Sequence, residues 1–296
     1  MIHIHPNPSG IRIRIGTYQG PVAEGDPDAN LRKIREVFAA EAGNLDFLCF
    51  PETFVSGYRT ESIARAAISL DDNRIKDLLA ETAKQDTVLL FGLSERTADG
   101  ICNTQAVVYR GGLLGRQRKT MLTPGDSKVF LPDTELRVFD AKGVRFGIAI
   151  CHTTSFVEPA LCLRLMGARL LFTPHFNDIR PSFDMPGVGT FTSAAHRAMV
   201  LNNQAALATL LKMVVVRSNV VVIEPEHLGW GDSDIWDMDG IPAARGEPFR
   251  EMVVRAEFPL EVFTKQNFIS RKEVPLALYE KILQAARHYL ADDSLV

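Results

Sequence analysis

An apolar run that stops at a cysteine constrains the fold more strongly than any other stretch of the chain. Residues Val144–Ile150 are apolar and β-branched enough to form a buried strand, and the run ends abruptly at Cys151. From Phe156 to Gly167 the apolar residues keep helical spacing, and a second apolar run, Leu170–Phe172, follows at once. This order predicts a strand, a turn, a helix and a second strand, as in α/β proteins.

Cys151 falls where α/β proteins bind their ligands. In open α/β sheets, ligands collect beyond the carboxyl ends of the strands, where helix N-termini also direct their free N–H groups. A thiol at this place would feel the positive end of the helix, which favours the thiolate and suits a nucleophile. A cysteine at the end of an apolar strand also fits a small buried hydrophobe, so both interpretations stay open.

The length and charge of the chain limit the classes of protein that it can form. With 296 residues, of which 46% are hydrophobic and 23% are charged, the chain can bury one large core, and we expect a single domain over residues 1–296. The net charge of −3 comes from 33 basic and 36 acidic residues without a long block of either sign. Neither nucleic acid nor an anionic membrane is therefore expected as a partner.

The sequence shows neither a membrane span nor an export signal. No apolar stretch approaches the roughly 18 to 20 residues that cross a bilayer, and Met1–Gly10 lacks a basic n-region and an apolar h-region. The chain contains no CxxC, HExxH or calcium-loop motif, so we expect neither a metal site nor a cofactor. The cysteines are scattered and suit free thiols in a reducing compartment, which favours a cytoplasmic protein. They are Cys49, Cys102, Cys151 and Cys162.

Hydrophobic patterning predicts the remaining elements. The predicted strands are Ile11–Gly16, whose alternation marks an outer strand, Phe47–Phe50, Val88–Gly92, Ala106–Tyr109, Leu113–Gly115, Val220–Ile223 and Met252–Phe258. The predicted helices are Asp28–Ala40, with Asp28 as a possible cap, Asn73–Lys84, Thr192–Arg217, with a break near Asn202, and Leu276–Leu290. Asp178–Gly189 is predicted to be a long loop beside the site, and Trp230–Gly240 a hairpin.

Two charged side chains also follow predicted strands. Glu52 comes directly after an apolar strand, at the rim of the sheet, where a half-desolvated carboxylate can transfer protons. Lys119 follows a predicted hairpin and could stabilise a thiolate and an oxyanion. Either residue alone would more simply be a solvated surface charge. Together with Cys151, they form the base, cation and nucleophile that acyl transfer through a thioester requires.

The motifs around these three residues resemble the nitrilase, or carbon–nitrogen hydrolase, superfamily with its Glu-Lys-Cys triad. The resemblance covers nearly the whole chain. It rests on four ordered blocks, namely Pro51–Tyr58, Asn103–Thr104 with Gly115–Leu122, Phe146–Cys151 with Phe156 and Glu158, and Gly231–Asp237 with Asp239–Gly240.

The resemblance implies a four-layer α-β-β-α sandwich that hydrolyses a non-peptide C–N bond of a small amide without a metal. Glu52 would take the proton from Cys151, and Lys119 would hold the oxyanion together with a backbone N–H near His152. Glu52 would then activate water against the thioester. The resemblance further implies a homodimer or higher homo-oligomer, with the C-terminal helix, about residues 275–291, covering the sheet or lying at a subunit interface.

Departures from the family pattern bear on the substrate more than on the fold. Thr153, Val157 and Leu161 stand where the family usually has an acid, a proline and an arginine. The segment after the nucleophile also differs from that of true nitrilases, which favours an amide or carbamoyl amide over a nitrile. Asp126 stands where many members have a second glutamate, and it would orient the substrate or the lysine, or simply form a turn.

Four further residues are expected to line or support the pocket. Tyr58 closes the glutamate motif, while His175, Phe176 and Asn177 follow the strand after the cysteine helix. Packing and turn formation would explain Phe176 and Asn177 equally well. The preferred hypothesis is a cysteine-dependent amide hydrolase. The alternatives are an acyltransferase with the same triad, and a family member that has lost its chemistry and acts as a binding or scaffold protein.

Overall fold

A computed structural model describes residues 10–177, 182–185, 189–224, 227–265 and 276–290 of the chain. The segment Met1–Ser9 therefore lies outside the described residues. The chain divides into two compact units between Thr264 and Lys265. Within the described residues, the second unit contains one helix, and all other helices and strands belong to the first.

The elements alternate between strands and helices through most of the first unit. The strands are β1 (Arg12–Gly20), β2 (Phe47–Cys49), β3 (Val88–Arg96), β4 (Ile101–Tyr109), β5 (Gly112–Arg118), β6 (Val138–Ala141), β7 (Val144–Ile148), β8 (Leu170–Pro174), β9 (Ser182–Met185), β10 (Gly189–Thr192), β11 (Val214–Glu224), β12 (His227–Trp230), β13 (Asp234–Trp236), β14 (Pro242–Arg245) and β15 (Met252–Pro259). The helices are α1 (Pro27–Glu41), α2 (Thr60–Ala66), α3 (Asn73–Thr82), α4 (Val157–Leu165), α5 (Ser193–Leu211), α6 (Glu261–Thr264) and, in the second unit, α7 (Leu276–Leu290).

Apart from the separate β9–β10 pair, the strands form one hydrogen-bonded network that consists of two sheets joined at one corner. The hydrogen-bonded order is β5-β4-β3-β2-β1-β11-β8-β7-β6. Along this order β1, β2 and β3 run parallel, as do β11, β8 and β7, and β4 and β5 add an antiparallel hairpin. The link between β1 and β11 consists of the pairs Gln19–Asn219 and Gly20–Val220, whereas β15 pairs with β1 from Arg12 to Gln19. The remainder of each strand is therefore free to diverge into its own layer.

Alternate residues of each buried strand face different cores, and this alternation produces four layers. In β2, Phe47 and Cys49 point into a core between the two sheets, while Leu48 packs with helices α1 and α3. In β8, Phe172 points into the core between the sheets, while Leu171 packs with helices α4 and α5. Strands covered on both faces need apolar residues at every position. The first unit is thus a four-layer α-β-β-α sandwich, as the family resemblance implied.

Strand β1 corrects one prediction. Its alternating start, with Arg12 exposed and Ile13 buried, predicted an outer strand, yet β1 lies in the middle of the order with neighbours on both sides. The alternation is confined to the beginning of the strand, where Arg14 pairs with Asp46. From Ile15 onward the strand is buried on both faces, so the prediction of an outer strand was wrong.

Helix boundaries also differ from their predictions. Asp26 caps α1, since its Oδ1 accepts from Ala29 N at 2.9 Å, and Asp28 lies within the first turn. Helix α5 runs without a break through Asn202 and ends at Leu211, because Lys212 adopts a left-handed conformation with φ +49°. The prediction that this helix continued to Arg217 was wrong, because β11 already begins at Val214.

The predicted loop Asp178–Gly189 contains regular structure. Strands β9 and β10 pair as an antiparallel hairpin with Ser182 opposite Thr192. Residues 178–181 and 186–188 lie outside the described residues. Within the part of the chain that the structure covers, no helix has the combination of length and apolarity needed to cross a membrane.

Replacing Phe47 by alanine tests the core between the sheets. The Phe47 ring is fully buried, with its centroid 5.4 Å from that of Phe146 and 5.9 Å from that of Phe172. Phe47→Ala should lower the free energy of unfolding by about 3–5 kcal/mol, because the two sheets cannot move together to fill the cavity that the missing ring leaves between them. Urea denaturation measures the change. Phe156→Ala, at a ring that is 38% exposed, is the matched control, and equal losses in both variants would contradict the assignment of the core.

Candidate active site

Cys151 occupies a strained turn directly beyond strand β7. Its φ of +47° lies in the left-handed region, which non-glycine residues adopt at a cost of about 1–3 kcal/mol. A short 3₁₀ helix, Cys151–Ser155, follows, and α4 begins only at Val157. The turn places the side chain of Cys151 on the wall of a pocket, where it is partly exposed and packs against the edge of the core between the sheets.

Glu52 lies in a second tight turn, at the end of strand β2. Its neighbour Thr53 also has a positive φ of +43°, and the turn packs on Gly92 of β3. A Cβ atom at Gly92 would lie 2.3 Å from Thr53 N and 2.5 Å from Pro51 O, so only glycine permits this approach. The turn buries Glu52 completely.

Three donors hold the Glu52 carboxylate. Oε1 accepts from Lys119 Nζ at 2.7 Å and from Asn103 Nδ2 at 2.7 Å, and Oε2 accepts from the backbone N–H of Phe176 at 2.9 Å. The Glu52 carboxylate also lies near enough to Cys151 for its negative charge to raise the pKa of the thiol. The donors come from strands β4, β5 and β8 or the residues directly after them, so both sheets position this one carboxylate.

Lys119 links two buried carboxylates. It directly follows strand β5, is 1% exposed, and places Nζ 2.7 Å from Glu52 Oε1 and 2.8 Å from Asp126 Oδ2. The Tyr58 hydroxyl donates to the other oxygen of Asp126. Asp126 also accepts from Thr123 N at 2.9 Å, so it both closes a turn and pairs with the lysine.

The electrostatics follow from burial and from these pairs. Burial opposes the charged ammonium, but Glu52 and the other neighbouring groups outweigh it and hold the pKa of Lys119 well above its ordinary value. Burial also opposes ionisation of Asp126, yet Lys119 brings the pKa of Asp126 below its ordinary value. For Cys151, burial and then the Glu52 charge raise the pKa, although Lys119 acts in the opposite direction. The thiol is therefore the favoured resting form, and the prediction of a thiolate stabilised by a helix N-terminus was wrong.

A pocket of about 240 Å³ opens above these residues. Cys151, Thr154, His175 and Asn177 are among its lining residues. Helix α5 contributes a further group to the wall, and Tyr58, Thr123 and His152 also line the pocket. The α5 residues are His196, Met199, Val200 and Asn203.

The histidines of the pocket are uncharged groups. Burial, followed by Lys119, lowers the pKa of His152, and burial lowers the pKa of His196. Burial, followed by Arg217, lowers the pKa of His175 to well below its ordinary value. The Nδ1 atom of His175 lies 2.7 Å from Thr173 O, and since a carbonyl can only accept, this nitrogen carries the proton.

Six of the nine residues singled out from the sequence line this pocket, namely Tyr58, Cys151, His152, His175, Phe176 and Asn177. The other three, Glu52, Lys119 and Asp126, form the buried charged cluster next to it. Tyr58 stacks on Phe176, with ring centroids 5.3 Å apart, directly above the lysine. The sequence did not indicate two features, the amide of Asn103 and the pocket wall of α5. Asn103 lies inside a buried strand, where a polar residue gives no periodic signal. The residues of the α5 wall could have been grouped from the sequence, because their spacing of i, i+3, i+4 and i+7 puts them on one face of the predicted helix.

Thr153 shows how one family departure is accommodated. Its side chain is buried, and its Oγ1 accepts from Met121 N at 3.4 Å. The segment that follows Lys119 is therefore tied to the segment that follows Cys151 without a charge at this position.

The described residues contain no group of three or more His, Cys, Asp or Glu side chains arranged to hold a metal ion.

A family model described as carbon-nitrogen hydrolase matches residues 14–267. The match extends over most of the chain, and the protein belongs to the carbon-nitrogen hydrolase family. An (R)-stereoselective amidase from a Pseudomonas species is 28% identical over 155 residues, which are 52% of this chain and 57% of that protein. A nitrilase from Pyrococcus abyssi is 28% identical over 155 residues, which are 50% of this chain and 59% of that protein. The chain therefore spans less than two thirds of the length of either relative.

Solved structures share the four-layer fold. A variant of the amidase from Nesterenkonia sp. AN1, with the acetamide moiety of fluoroacetamide added covalently at its active-site cysteine, has a TM-score of 0.75 at 18% identity and covers 93% of this chain and 98% of its own. A carbon-nitrogen hydrolase superfamily protein from Xanthomonas campestris, with an arsenic adduct in its active site, has a TM-score of 0.71 at 20% identity and covers 88% of this chain and 99% of its own.

The raised pKa of Cys151 can be measured directly. The ultraviolet absorbance of its thiolate, taken as the difference between the wild type and Cys151→Ala, should appear above the ordinary cysteine pKa of about 8.5. Glu52→Gln removes the neighbouring negative charge and should lower this pKa by at least about one unit. A wild-type thiolate that forms below the ordinary pKa would contradict the electrostatic account of the site.

Proposed function

We propose that this protein is a cysteine-dependent hydrolase that cleaves the C–N bond of a small amide or carbamoyl amide through a thioester intermediate. The proposal rests on one observation: the buried Glu52 carboxylate is held by Lys119 Nζ at 2.7 Å, and both charges act on the Cys151 thiol at the pocket wall. A base, an ammonium donor and a thiol that influence one another suit acyl transfer. The family assignment supports the same type of reaction.

The hydrogen-bond count suggests which atoms act first. Glu52 Oε1 already accepts two hydrogen bonds, from Lys119 and Asn103, while Oε2 accepts one, from the Phe176 backbone. Each carboxylate oxygen can accept two, so Oε2 keeps a lone pair for the Cys151 proton. Glu52 removes this proton as the sulfur attacks the substrate carbonyl, which compensates for the raised pKa of the thiol.

Lys119 has one donor left for the oxyanion. An ammonium group carries three N–H bonds, and two of them are directed to Glu52 and Asp126. The third stabilises the negative oxygen of the tetrahedral intermediate, together with the backbone N–H of His152. The protonated Glu52 then gives its proton to the leaving nitrogen. The thioester remains on Cys151 until Glu52 activates a water molecule, which releases the carboxylic acid and restores the thiol.

The proposal also covers the organisation of the protein. We assign residues 1–296 to a single carbon-nitrogen hydrolase domain that assembles as a homodimer or higher homo-oligomer. The exposed apolar side chains of α7, among them Leu278, Ile282 and Leu283, suit a subunit interface. Cys49, Cys102, Cys151 and Cys162 are free thiols, which fits a reducing compartment such as the cytoplasm.

Ammonia release from a panel of small amides and carbamoyl amides tests the proposed reaction. Cys151→Ala should abolish release, because no thioester can form. Lys119→Ala should lower kcat/KM by at least about 100- to 1,000-fold through loss of an oxyanion donor. Cys162→Ala, at an exposed thiol, is the matched control and should keep wild-type activity.

The outcomes separate the proposed reaction from its alternatives. Ammonia release at the wild-type rate in both Cys151→Ala and Lys119→Ala would contradict the mechanism. Since Lys119→Ala leaves two buried carboxylates without their cation, circular dichroism must show that this variant folds. Mass spectrometry of the acid-quenched enzyme should detect the acyl group on Cys151 during turnover and not in Cys151→Ala.

A further inference from the structure

One face of helix α5 forms a wall of the site pocket. His196, Met199, Val200 and Asn203 are spaced i, i+3, i+4 and i+7, so they share a single helix face. The same helix is anchored farther along by Leu207 and other side chains in the core against the second sheet. The wall is therefore held on a rigid element, and it presents two apolar and two polar side chains to a ligand.

This pocket offers no formal charge to a ligand. Among the residues whose side chains the structure describes, none that lines the pocket is Asp, Glu, Lys or Arg. His152, His175 and His196 have pKa values below the ordinary value, so their imidazoles are neutral near pH 7. A charged group that enters such a pocket loses its hydration without gaining an opposite charge.

The lysine beneath the pocket is already compensated. Lys119 Nζ lies 2.7 Å from Glu52 and 2.8 Å from Asp126, so two carboxylates face one ammonium. This cluster carries an excess of negative charge when both carboxylates are ionised. It would therefore repel an anionic acyl group instead of binding it.

Both terminal nitrogens of the buried Arg217 beside the pocket already donate hydrogen bonds within the protein. Arg217 donates from Nη1 to the carbonyl oxygens of Gly231 at 3.0 Å and Asp232 at 2.6 Å, and from Nη2 to Asn177 Oδ1 at 2.8 Å. Asn177 thus stands between the guanidinium and the pocket. Because a guanidinium only donates, it fixes the oxygen of the Asn177 amide toward itself, which leaves the uncharged NH₂ group of Asn177 for a ligand.

We propose that this pocket selects small amides whose acyl group is uncharged, and that the α5 face of His196, Met199, Val200 and Asn203 sets this selectivity. The inference rests on the proposed function, because it takes the ligand to be the substrate that reacts at Cys151. A volume of about 240 Å³ restricts the acyl group to a few heavy atoms. An uncharged acyl group can pack on Met199 and Val200 and accept a hydrogen bond from Asn177.

A matched series of ligands tests the selectivity by binding and by turnover. Succinamide is neutral, succinamate has nearly the same shape with a carboxylate, and 4-aminobutanamide carries an ammonium. Ligand-observed NMR with Cys151→Ala measures binding without chemistry, and ammonia release by the wild type measures kcat/KM. Succinamide, corrected for its two equivalent amides, should exceed succinamate by at least about 100-fold in kcat/KM, because the carboxylate loses its hydration and is repelled by the negative cluster. It should exceed 4-aminobutanamide by a smaller factor, because the ammonium loses its hydration but is not repelled.

Two neighbouring asparagines provide a matched pair of variants. Asn203→Lys places a cation on the pocket wall and should reduce the preference for succinamide over succinamate by at least about tenfold. Asn202 is exposed on a different face of the same helix, outside the pocket lining. Asn202→Lys should leave the preference unchanged, although it adds the same charge to α5.

The results distinguish this inference from the proposed function. If the wild type hydrolyses succinamate as well as succinamide, the charge selectivity is wrong while the hydrolase proposal stands. If Cys151→Ala binds succinamide selectively but the wild type releases no ammonia, the selectivity stands and the hydrolase proposal fails. Equal shifts of preference in Asn203→Lys and Asn202→Lys would show that the α5 face does not set the selectivity. Failure of succinamide to bind at millimolar concentration would overturn the proposed substrate class.

Discussion

The arrangement of this protein depends on the pairing of one buried ammonium with two buried carboxylates. A charge in the protein interior is costly unless an opposite charge and hydrogen bonds surround it, and removing one partner costs several kcal/mol. Lys119 meets Glu52 and Asp126 only when β2, β5 and the turn after β5 are all in place. The need to satisfy these charges therefore fixes the geometry of the segments around the thiol. The same contacts leave one ammonium hydrogen and one carboxylate lone pair for chemistry.

Much of the fold could be predicted because the buried strands have a simple pattern. Strands covered on both faces appear as unbroken apolar runs, and Glu52, Lys119 and Cys151 each lie close behind such a run or the hairpin that extends it. Their positions at the sheet rim follow from this local order. Their mutual contacts do not, because the approach of turns from two different sheets depends on packing between distant parts of the chain.

The failed predictions have equally specific causes. The alternation of charged and apolar residues at the start of β1 suggested an edge strand. The prediction failed because alternation over a few residues does not show how many neighbouring strands a strand has. The cap of α1 was misplaced because Asp26 and Asp28 both suit the start of a helix, and only hydrogen-bond geometry distinguishes them. The thiolate was expected from a helix dipole, but α4 begins six residues after Cys151, and burial beside Glu52 dominates the pKa of the thiol. Asn103 lies in a motif that the sequence analysis used, but its hydrogen bond to Glu52 could be found only from the three-dimensional structure.

The corner contact between β1 and β11 has a consequence for the order in which the protein loses its structure on heating or in denaturant. Glu52 and Lys119 come from one sheet and Cys151 from the other, and among the described residues direct strand pairing joins the sheets only near Gln19 and Gly20. A small hinge-like opening of the sandwich would separate Cys151 from Glu52 while each sheet kept its own strand pairing. Heat or denaturant would then disrupt the proposed catalytic site before the secondary structure melts.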